Sequence, residues 1–164
     1  MKIARAHNVI YATCAALFVA LAGVHAVAGS GPSPLEAVSG RWYTEGHEGG
    51  VELYPCGDRV CGRFSWIKSD SEQHTVSYDT HNPDPAERGR PLCHMQFMGN
   101  FNPDGKNGYL DGWIYNPRDG GIYSAQMKLI DHDTLDLHGY LFLPLFGESQ
   151  IWKRASSMPS CVGD

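Results

Sequence analysis

Short apolar segments separated by turn-forming residues constrain the fold of this chain more than any other feature. After residue 40, Gly, Pro, Asn or Asp interrupts the chain about every 8 to 14 residues. The segments between the interruptions are rich in aromatic and branched residues, which favour β-strands. The predicted strands are 40–45, 50–54, 60–67, 95–101, 108–115, 122–130, 134–142 and 150–154. No stretch after residue 29 shows a helical period over three turns, so the sequence predicts an all-β domain.

The alternation of apolar and polar residues indicates how these strands are arranged. In the strand at 122–130, Tyr123, Ala125, Met127 and Leu129 share one face and polar residues occupy the other. One apolar face per strand is typical of antiparallel sheets that cover a core on one side. About eight such strands in sequence order predict an antiparallel up-and-down β-barrel, with a two-sheet sandwich as the alternative. An eight-stranded barrel has room for packed side chains or for one small ligand.

The N-terminal region predicts export to the periplasm or secretion. Lys2 and Arg5 precede an apolar stretch at 9–28 that ends in small residues. These features are typical of a cleaved secretory signal, and the pattern predicts cleavage after Ala28. A retained membrane anchor is the alternative, which the Ala and Gly content of the stretch disfavours.

Cleavage would leave one domain with an acidic charge. We divide the remaining chain into a flexible lead-in at 29–39, a single β-barrel domain at 40–155 and a C-terminal tail at 156–164. Removing two of the 13 basic residues leaves 11 against 18 acidic ones, a formal charge of −7. This charge argues against nucleic-acid partners and anionic lipid surfaces. No second apolar span is present, so stable membrane insertion of the mature domain is not predicted.

The cysteines predict a disulfide framework. Cys14 would leave with the signal, and the four remaining cysteines allow three pairings. Cys56 and Cys61 flank a turn between two predicted strands, which favours a bond between them and leaves Cys93 to pair with Cys161. Zinc binding is disfavoured because a C-x4-C pair with no second close pair is poor metal spacing.

Five groups of motifs give the chain a family resemblance. They are GRWYTE at 40–45, YPCGDRVCG at 54–62, NPDP at 82–85 with RGRPL at 88–92, IYNP at 114–117 with DG at 119–120 and Tyr123, and GY at 139–140 with FG at 146–147 and WKR at 152–154. In this order they resemble the secreted bacterial family called domain of unknown function 2147. The resemblance implies a lipocalin-like barrel and implies no enzymatic activity. His94 departs from the family, which usually has Gly there, and the resemblance leaves the partner of Cys93 open.

Two residues are predicted to have structural roles. Gly40-x-Trp42 is also similar to the first strand of lipocalins, where the tryptophan closes one end of the barrel. Trp42 is therefore predicted to be a closing or core aromatic. Pairing of the first and last strands would place Arg154 across its indole ring, an interaction worth about 0.5–2 kcal/mol.

The polar segment 68–92 interrupts the strand pattern and is the strongest functional candidate. Loops of this length are functional or disordered, and three prolines near its end predict a defined shape. Its candidate ligand-binding residues are Asp79, Asn82, Asp84, Arg88 and Arg90. The two arginines are alternate residues that would suit a carboxylate or phosphate. Internal pairing with Asp79, Asp84 or Glu87 is the favoured interpretation, because five acids lie in this segment.

No metal, cofactor or catalytic residue is predicted. His74, Asp79, His81 and Asp84 are ligand types for divalent ions, but their spacing matches no standard metal motif. The chain has no Gly-x-Ser-x-Gly nucleophile elbow. If all four remaining cysteines pair, none is free as a nucleophile.

The aromatic residues lead to the function hypotheses. Aromatic candidates for ligand contact are Trp66, Trp113, Tyr115 and Tyr123. The leading hypothesis is an exported protein that binds a small, mainly apolar ligand in a lipocalin-like barrel. The alternatives are an envelope enzyme using the 68–92 loop and a non-catalytic interaction module of the cell envelope. The interaction module would bind its partner through the apolar run at 141–146. The alternative interpretation of this run is a lid over a barrel mouth.

Overall fold

The structure is a computed structural model that describes residues 31–162. The predicted signal sequence, residues 1–28, lies outside the described residues, so its cleavage stays a prediction. Within 31–162, no helix is long and apolar enough to cross a membrane.

Eight antiparallel strands form a closed barrel. They are β1 (Gly40–Tyr43), β2 (Gly49–Cys56), β3 (Arg59–Ile67), β4 (Gln96–Pro103), β5 (Gly108–Asn116), β6 (Gly121–Asp131), β7 (Thr134–Tyr140) and β8 (Gly147–Arg154). Each strand pairs with the next one in sequence, and β8 pairs with β1 to close the barrel. The predicted eight-stranded up-and-down barrel is therefore confirmed. The largest difference at a strand end is at β8, which begins at Gly147 rather than at 150.

The interior of the barrel is filled by large side chains. On β6, Ala125 and Met127 point inward and are 0% and 2% exposed, as the alternation predicted. The other large, fully buried side chains include Trp42, Trp152, Tyr109, Phe101, Met98 and Leu53. Because these aromatic and aliphatic groups pack into one cluster, the barrel interior is a core rather than an open ligand chamber.

A short helix covers the barrel end at which β1 begins. Helix α1 (Pro34–Val38) starts with a capping box in which Ser33 and Glu36 bond each other's backbone N–H. Val38 is fully buried, and its carbonyl accepts a 2.9 Å hydrogen bond from the Trp42 indole. The segment 29–39, predicted as a flexible lead-in, thus contains the short helix Pro34–Val38, and Val38 packs into the core. We call this end of the barrel the closed end.

Arg154 fastens the closed end. Its guanidinium carbon lies 4.2 Å from the centroid of the Trp42 ring, the arrangement expected from pairing the first and last strands. Its three nitrogens donate to the carbonyls of Ala37, Ser39 and His132 at 2.6–2.7 Å. One side chain thus joins α1, β1 and the β6–β7 turn.

The opposite end of the barrel, which we call the loop end, carries the longer connections. The segment 68–92 contains the helix α2 (Lys68–Gln73) and a 3-10 helix, Pro85–Glu87. The β5–β6 turn and the β7–β8 connection emerge at the same end. Two further 3-10 helices, Glu45–His47 and Pro144–Phe146, also lie there.

Both preferred disulfides are confirmed. Cys56 and Cys61 are joined across the β2–β3 hairpin, and Cys93 is joined to Cys161. The second bond holds the C-terminal tail against the barrel, where the Tyr43 hydroxyl donates to the Ser157 carbonyl at 2.9 Å.

Candidate ligand-binding site

A buried carboxylate organises the second half of the 68–92 segment. Asp79 is 0% exposed and accepts hydrogen bonds from the Tyr115 hydroxyl and the Asn82 amide, each at 2.6 Å. The Arg90 guanidinium donates at 3.0 Å to Oδ2, the oxygen that Asn82 also bonds, whereas Tyr115 bonds Oδ1. The backbone joins the same groups, since Asp79 N–H donates to the Arg90 carbonyl at 2.9 Å. These bonds fix the segment against β5, which supplies Tyr115.

The electrostatics of this cluster keep Asp79 ionised. Burial alone would raise its pKa, but hydrogen bonds from Tyr115, Asn82 and Arg90, together with the Arg90 charge, hold the pKa below its usual value. Burial and the hydrogen bond to the Asp79 carboxylate raise the pKa of Tyr115 to about 12. The phenol therefore stays protonated and remains a donor at ordinary pH.

The two arginines of the segment are used to fold it. Arg90 bonds Asp79 and lies 3.2 Å from Glu87, so the internal pairing favoured from the sequence is present. Arg88 instead donates to the carbonyl of Asn82 at 2.8 Å. The two guanidinium groups therefore do not form a paired anion clamp.

An open cleft of about 250 Å³ lies between this segment and the outer face of the sheet. It is lined by Asn82, Pro83, Arg90, Gln96, Trp113, Tyr115 and Ile122. Gly99 on β4 makes room for it, because a Cβ there would lie 3.3 Å from the Trp113 ring and 3.1 Å from the Gln96 amide nitrogen. The glycine thus allows the indole to lie close over the sheet.

The cleft brings together five of the nine predicted ligand-binding residues. They are Asp79, Asn82, Arg90, Trp113 and Tyr115, with Asp79 behind the cleft as the group that positions the others. Sequence reasoning missed Pro83, Gln96 and Ile122. Gln96 pairs with Arg63 of β3 and accepts a 3.1 Å hydrogen bond from the Tyr54 hydroxyl, contacts that no motif in the sequence indicates.

The other four predicted residues have different surroundings. Asp84 caps the 3-10 helix by accepting from the Ala86 N–H, and Arg88 bonds the backbone as described above. Trp66 is buried beside α2, where its indole donates to Ser71 at 2.6 Å. The Tyr123 hydroxyl donates to Asp119 in the β5–β6 turn at 2.9 Å.

The β5–β6 turn packs against the 68–92 segment at His81. Gly120 has a φ of 73° and lies so close to the His81 carbonyl that no side chain fits between them. The left-handed backbone and the close approach both require glycine at this position. The turn therefore helps to hold residues 81–83 at the rim of the cleft.

Potential metal ligands are grouped elsewhere. Asp79 has both oxygens engaged by Tyr115, Asn82 and Arg90, which argues against the His74, Asp79, His81 and Asp84 set. Within residues 31–162, ligand atoms of Cys93, His94 and Cys161 lie within 4.8 Å of one another. The two sulfurs of that group are bonded in a disulfide, so they are not thiolate ligands.

Comparisons with known proteins agree with this architecture. A family model described as an uncharacterized protein conserved in bacteria, DUF2147, matches residues 40–154. Among solved structures, protein HP1028 from the human pathogen Helicobacter pylori, described as belonging to the lipocalin family, aligns with a TM-score of 0.65 and 23% sequence identity. The alignment covers 73% of this chain and 83% of that chain, and it shows a shared lipocalin-like fold. The search of curated proteins gave no match.

Proposed function

The chain belongs to the DUF2147 family, and from that premise we propose that it binds a small, mainly apolar ligand in the cleft beside the 68–92 segment. The observation that carries this proposal is the cleft itself. Four of its seven lining residues are aromatic or aliphatic and three are polar, and small-ligand sites combine these two kinds of group.

The filled interior supports a binding site outside the barrel rather than inside it. Trp42 and Trp152 are 0% and 2% exposed and occupy the space that an internal ligand would need. An internal ligand would have to displace such packed aromatic groups, each of which contributes several kcal/mol, about 3–5, to stability. The external cleft needs no such rearrangement.

The chemistry of the cleft supports a neutral, mainly apolar class of ligand. Ile122 is 67% exposed and, with Trp113, forms an apolar wall. The Arg90 charge is already neutralised by Asp79 and Glu87, so the cleft offers hydrogen bonds rather than a free positive charge. A volume of about 250 Å³ suits a molecule of one or two rings. A neutral, flat molecule with one or two polar groups fits this description.

We also propose that the protein works outside the cytoplasm after cleavage behind Ala28. The two disulfides support this, because such bonds persist in oxidising compartments. Native mass spectrometry of protein purified from the periplasmic fraction tests both proposals at once. The polypeptide mass reports the cleavage site and both disulfides, and a discrete excess mass that is lost on denaturation reports a co-purified ligand.

Fluorine NMR locates the binding site. The chain has four tryptophans, and after incorporation of 5-fluorotryptophan each one gives its own fluorine resonance. Titration with indole, as a flat neutral probe, is expected to shift the Trp113 resonance saturably and to leave those of Trp42 and Trp152 in place. Ile122→Glu, at an exposed position, should weaken this binding without unfolding the barrel. Shifts confined to Trp42 and Trp152 would place the ligand inside the barrel and contradict the cleft proposal.

A further inference from the structure

The β7–β8 connection, residues 141–146, forms an exposed apolar tip at the loop end. Its large side chains are Leu141, Phe142, Leu143, Leu145 and Phe146, which are 52%, 96%, 57%, 85% and 71% exposed. With Pro144, they form six consecutive residues without a polar side chain. We propose that this apolar tip inserts reversibly into the apolar region of an uncharged lipid bilayer and holds the protein at a membrane surface.

The arrangement of the side chains favours lipid over a protein partner. Neighbouring residues in a chain point in different directions, and here every one of the five is exposed. A flat protein surface covers one face of a loop and leaves the other face to water. A fluid hydrocarbon layer surrounds an inserted loop on all sides, which suits a tip that is apolar all round.

Part of the backbone of the apolar tip is hydrogen-bonded within the protein. Leu143 N–H donates to the Leu141 carbonyl at 2.7 Å, and Phe146 N–H donates to the Leu143 carbonyl at 3.0 Å. Pro144 has no N–H, and its carbonyl lies 2.7 Å from Nε2 of His138. Backbone groups without partners are costly in hydrocarbon, so these internal bonds reduce the cost of insertion.

The apolar tip also has a fixed shape. Nδ1 of His138 bonds the Ser149 hydroxyl at 2.9 Å, so one imidazole ties the tip to β8. Phe142 has a φ of 60°, a left-handed conformation that is rare for a bulky residue. The surrounding hairpin maintains this conformation and holds the most exposed aromatic ring, at 96%, in solvent.

The charge of the protein indicates which kind of lipid bilayer the apolar tip would enter. The chain has a formal net charge of −5, and the charged residue that follows the apolar tip most closely is Glu148. Attraction to anionic lipid requires basic residues, which 141–150 does not contain. Insertion of the apolar tip is therefore expected to be insensitive to salt and no stronger on anionic vesicles.

Sedimentation with sucrose-loaded phosphatidylcholine vesicles tests the proposal on the purified, oxidised protein. The wild type should co-sediment equally at low and high salt. Phe142→Asn combined with Phe146→Ser should weaken partitioning at least about tenfold, because two exposed aromatic groups lose their apolar burial. The matched control is Leu110→Ser combined with Ile130→Ser, which removes two exposed apolar groups at the closed end and should bind like the wild type.

A second measurement identifies which residues enter the bilayer. With 4-fluorophenylalanine incorporated, doxyl-labelled lipid should broaden the resonances of Phe142 and Phe146. Those of the buried Phe97 and Phe101 should stay sharp. Absence of vesicle binding, or equal loss in the tip and control variants, would overturn the proposal. Self-association that the tip variant abolishes, without lipid binding, would instead assign the apolar tip to a contact between two copies of the chain.

Discussion

At the scale of single residues, Arg154 joins three segments at the closed end of the barrel. It donates to the carbonyls of Ala37, Ser39 and His132 and lies over the ring of Trp42. Its side chain is only 16% exposed, so water replaces these bonds poorly in a truncated variant. Arg154→Ala is expected to lower the free energy of unfolding by about 3 kcal/mol in urea denaturation.

Arg154→Lys is the matched variant for this prediction. It keeps the charge, but one ammonium group cannot reach three carbonyls and stack on the indole together. It should therefore restore only part of the lost stability. Binding in the cleft should be retained in both variants, since the cleft is at the loop end. An unchanged melting temperature for Arg154→Ala would contradict the structural role.

Asp79 gives a prediction for the pH dependence of stability. Its pKa in the folded state is below the unfolded value of 3.8. The stabilisation by the carboxylate is therefore fully present above pH 3.8 and is lost as the pH falls through the lower, folded-state pKa. Asp79→Asn should be less stable than the wild type by about 2 kcal/mol at pH 7, because a buried acceptor of three hydrogen bonds is changed.

The difference in the free energy of unfolding between the wild type and Asp79→Asn should shrink as the pH falls below 3.8. Urea denaturation of both proteins between pH 7 and pH 3 measures it. Asp119, Asp131 and Glu36 also have lowered pKa values, but they are present in both proteins and cancel from the difference. A difference that is constant with pH would mean that the Asp79 charge does not hold the segment.

At the scale of elements, α1 acts as the cover of the closed end. Val38 is fully buried, and the Tyr109 hydroxyl donates to the Pro34 carbonyl at 2.6 Å. Val38→Ala is expected to lower the free energy of unfolding by about 2 kcal/mol, through lost burial and the cavity left behind. Ile130→Ala removes a 50% exposed side chain at the same end and should change stability by less than about 0.5 kcal/mol. Equal effects in thermal unfolding would show that α1 does not cover the core.

The strands could be predicted from the sequence far better than the short helices. Turn-forming residues lie between each pair of consecutive strands, whereas α1 and α2 have five and six residues, too few to show a helical period. The sequence nevertheless contains a recognisable pattern for the start of α1. Ser33 followed by Pro34, with Glu36 at the third helical position, is a capping box with proline at its first position.

At the scale of the whole molecule, the barrel could be predicted because each strand pairs with its neighbour in sequence. The site could be predicted only in part, since irregular strand pairing and long-range contacts also shape it. Phe97 and Met98 are consecutive and both buried, because a bulge between β3 and β4 interrupts the alternation. The bond of Asp79 to Arg90 lies within one segment and agrees with the internal pairing favoured from the sequence. The bond of Asp79 to Tyr115 spans 36 residues, and no pattern in the sequence indicates that partner.

The two disulfides constrain the unfolded molecule to different extents. Cys93 and Cys161 are 68 residues apart, whereas Cys56 and Cys61 are five apart. The loop-entropy relation gives a stabilisation of about 4 kcal/mol for the long connection and about 2 kcal/mol for the short one. Cys93→Ser with Cys161→Ser should therefore cost about twice as much stability as Cys56→Ser with Cys61→Ser in urea denaturation.

The native contacts of the tail add to this difference. Loss of the long disulfide frees residues 156–162, so the bond between Ser157 and Tyr43 would be weakened as well. The short disulfide lies on a hairpin whose eight backbone-paired positions remain without it, so its loss should leave the β2–β3 register unchanged. Hydrogen exchange separates these effects, with faster exchange at β1 and in the tail expected only for the first variant. Equal destabilisation by the two pairs of substitutions would show that strain or residual structure, rather than loop length, sets the contribution of each bond.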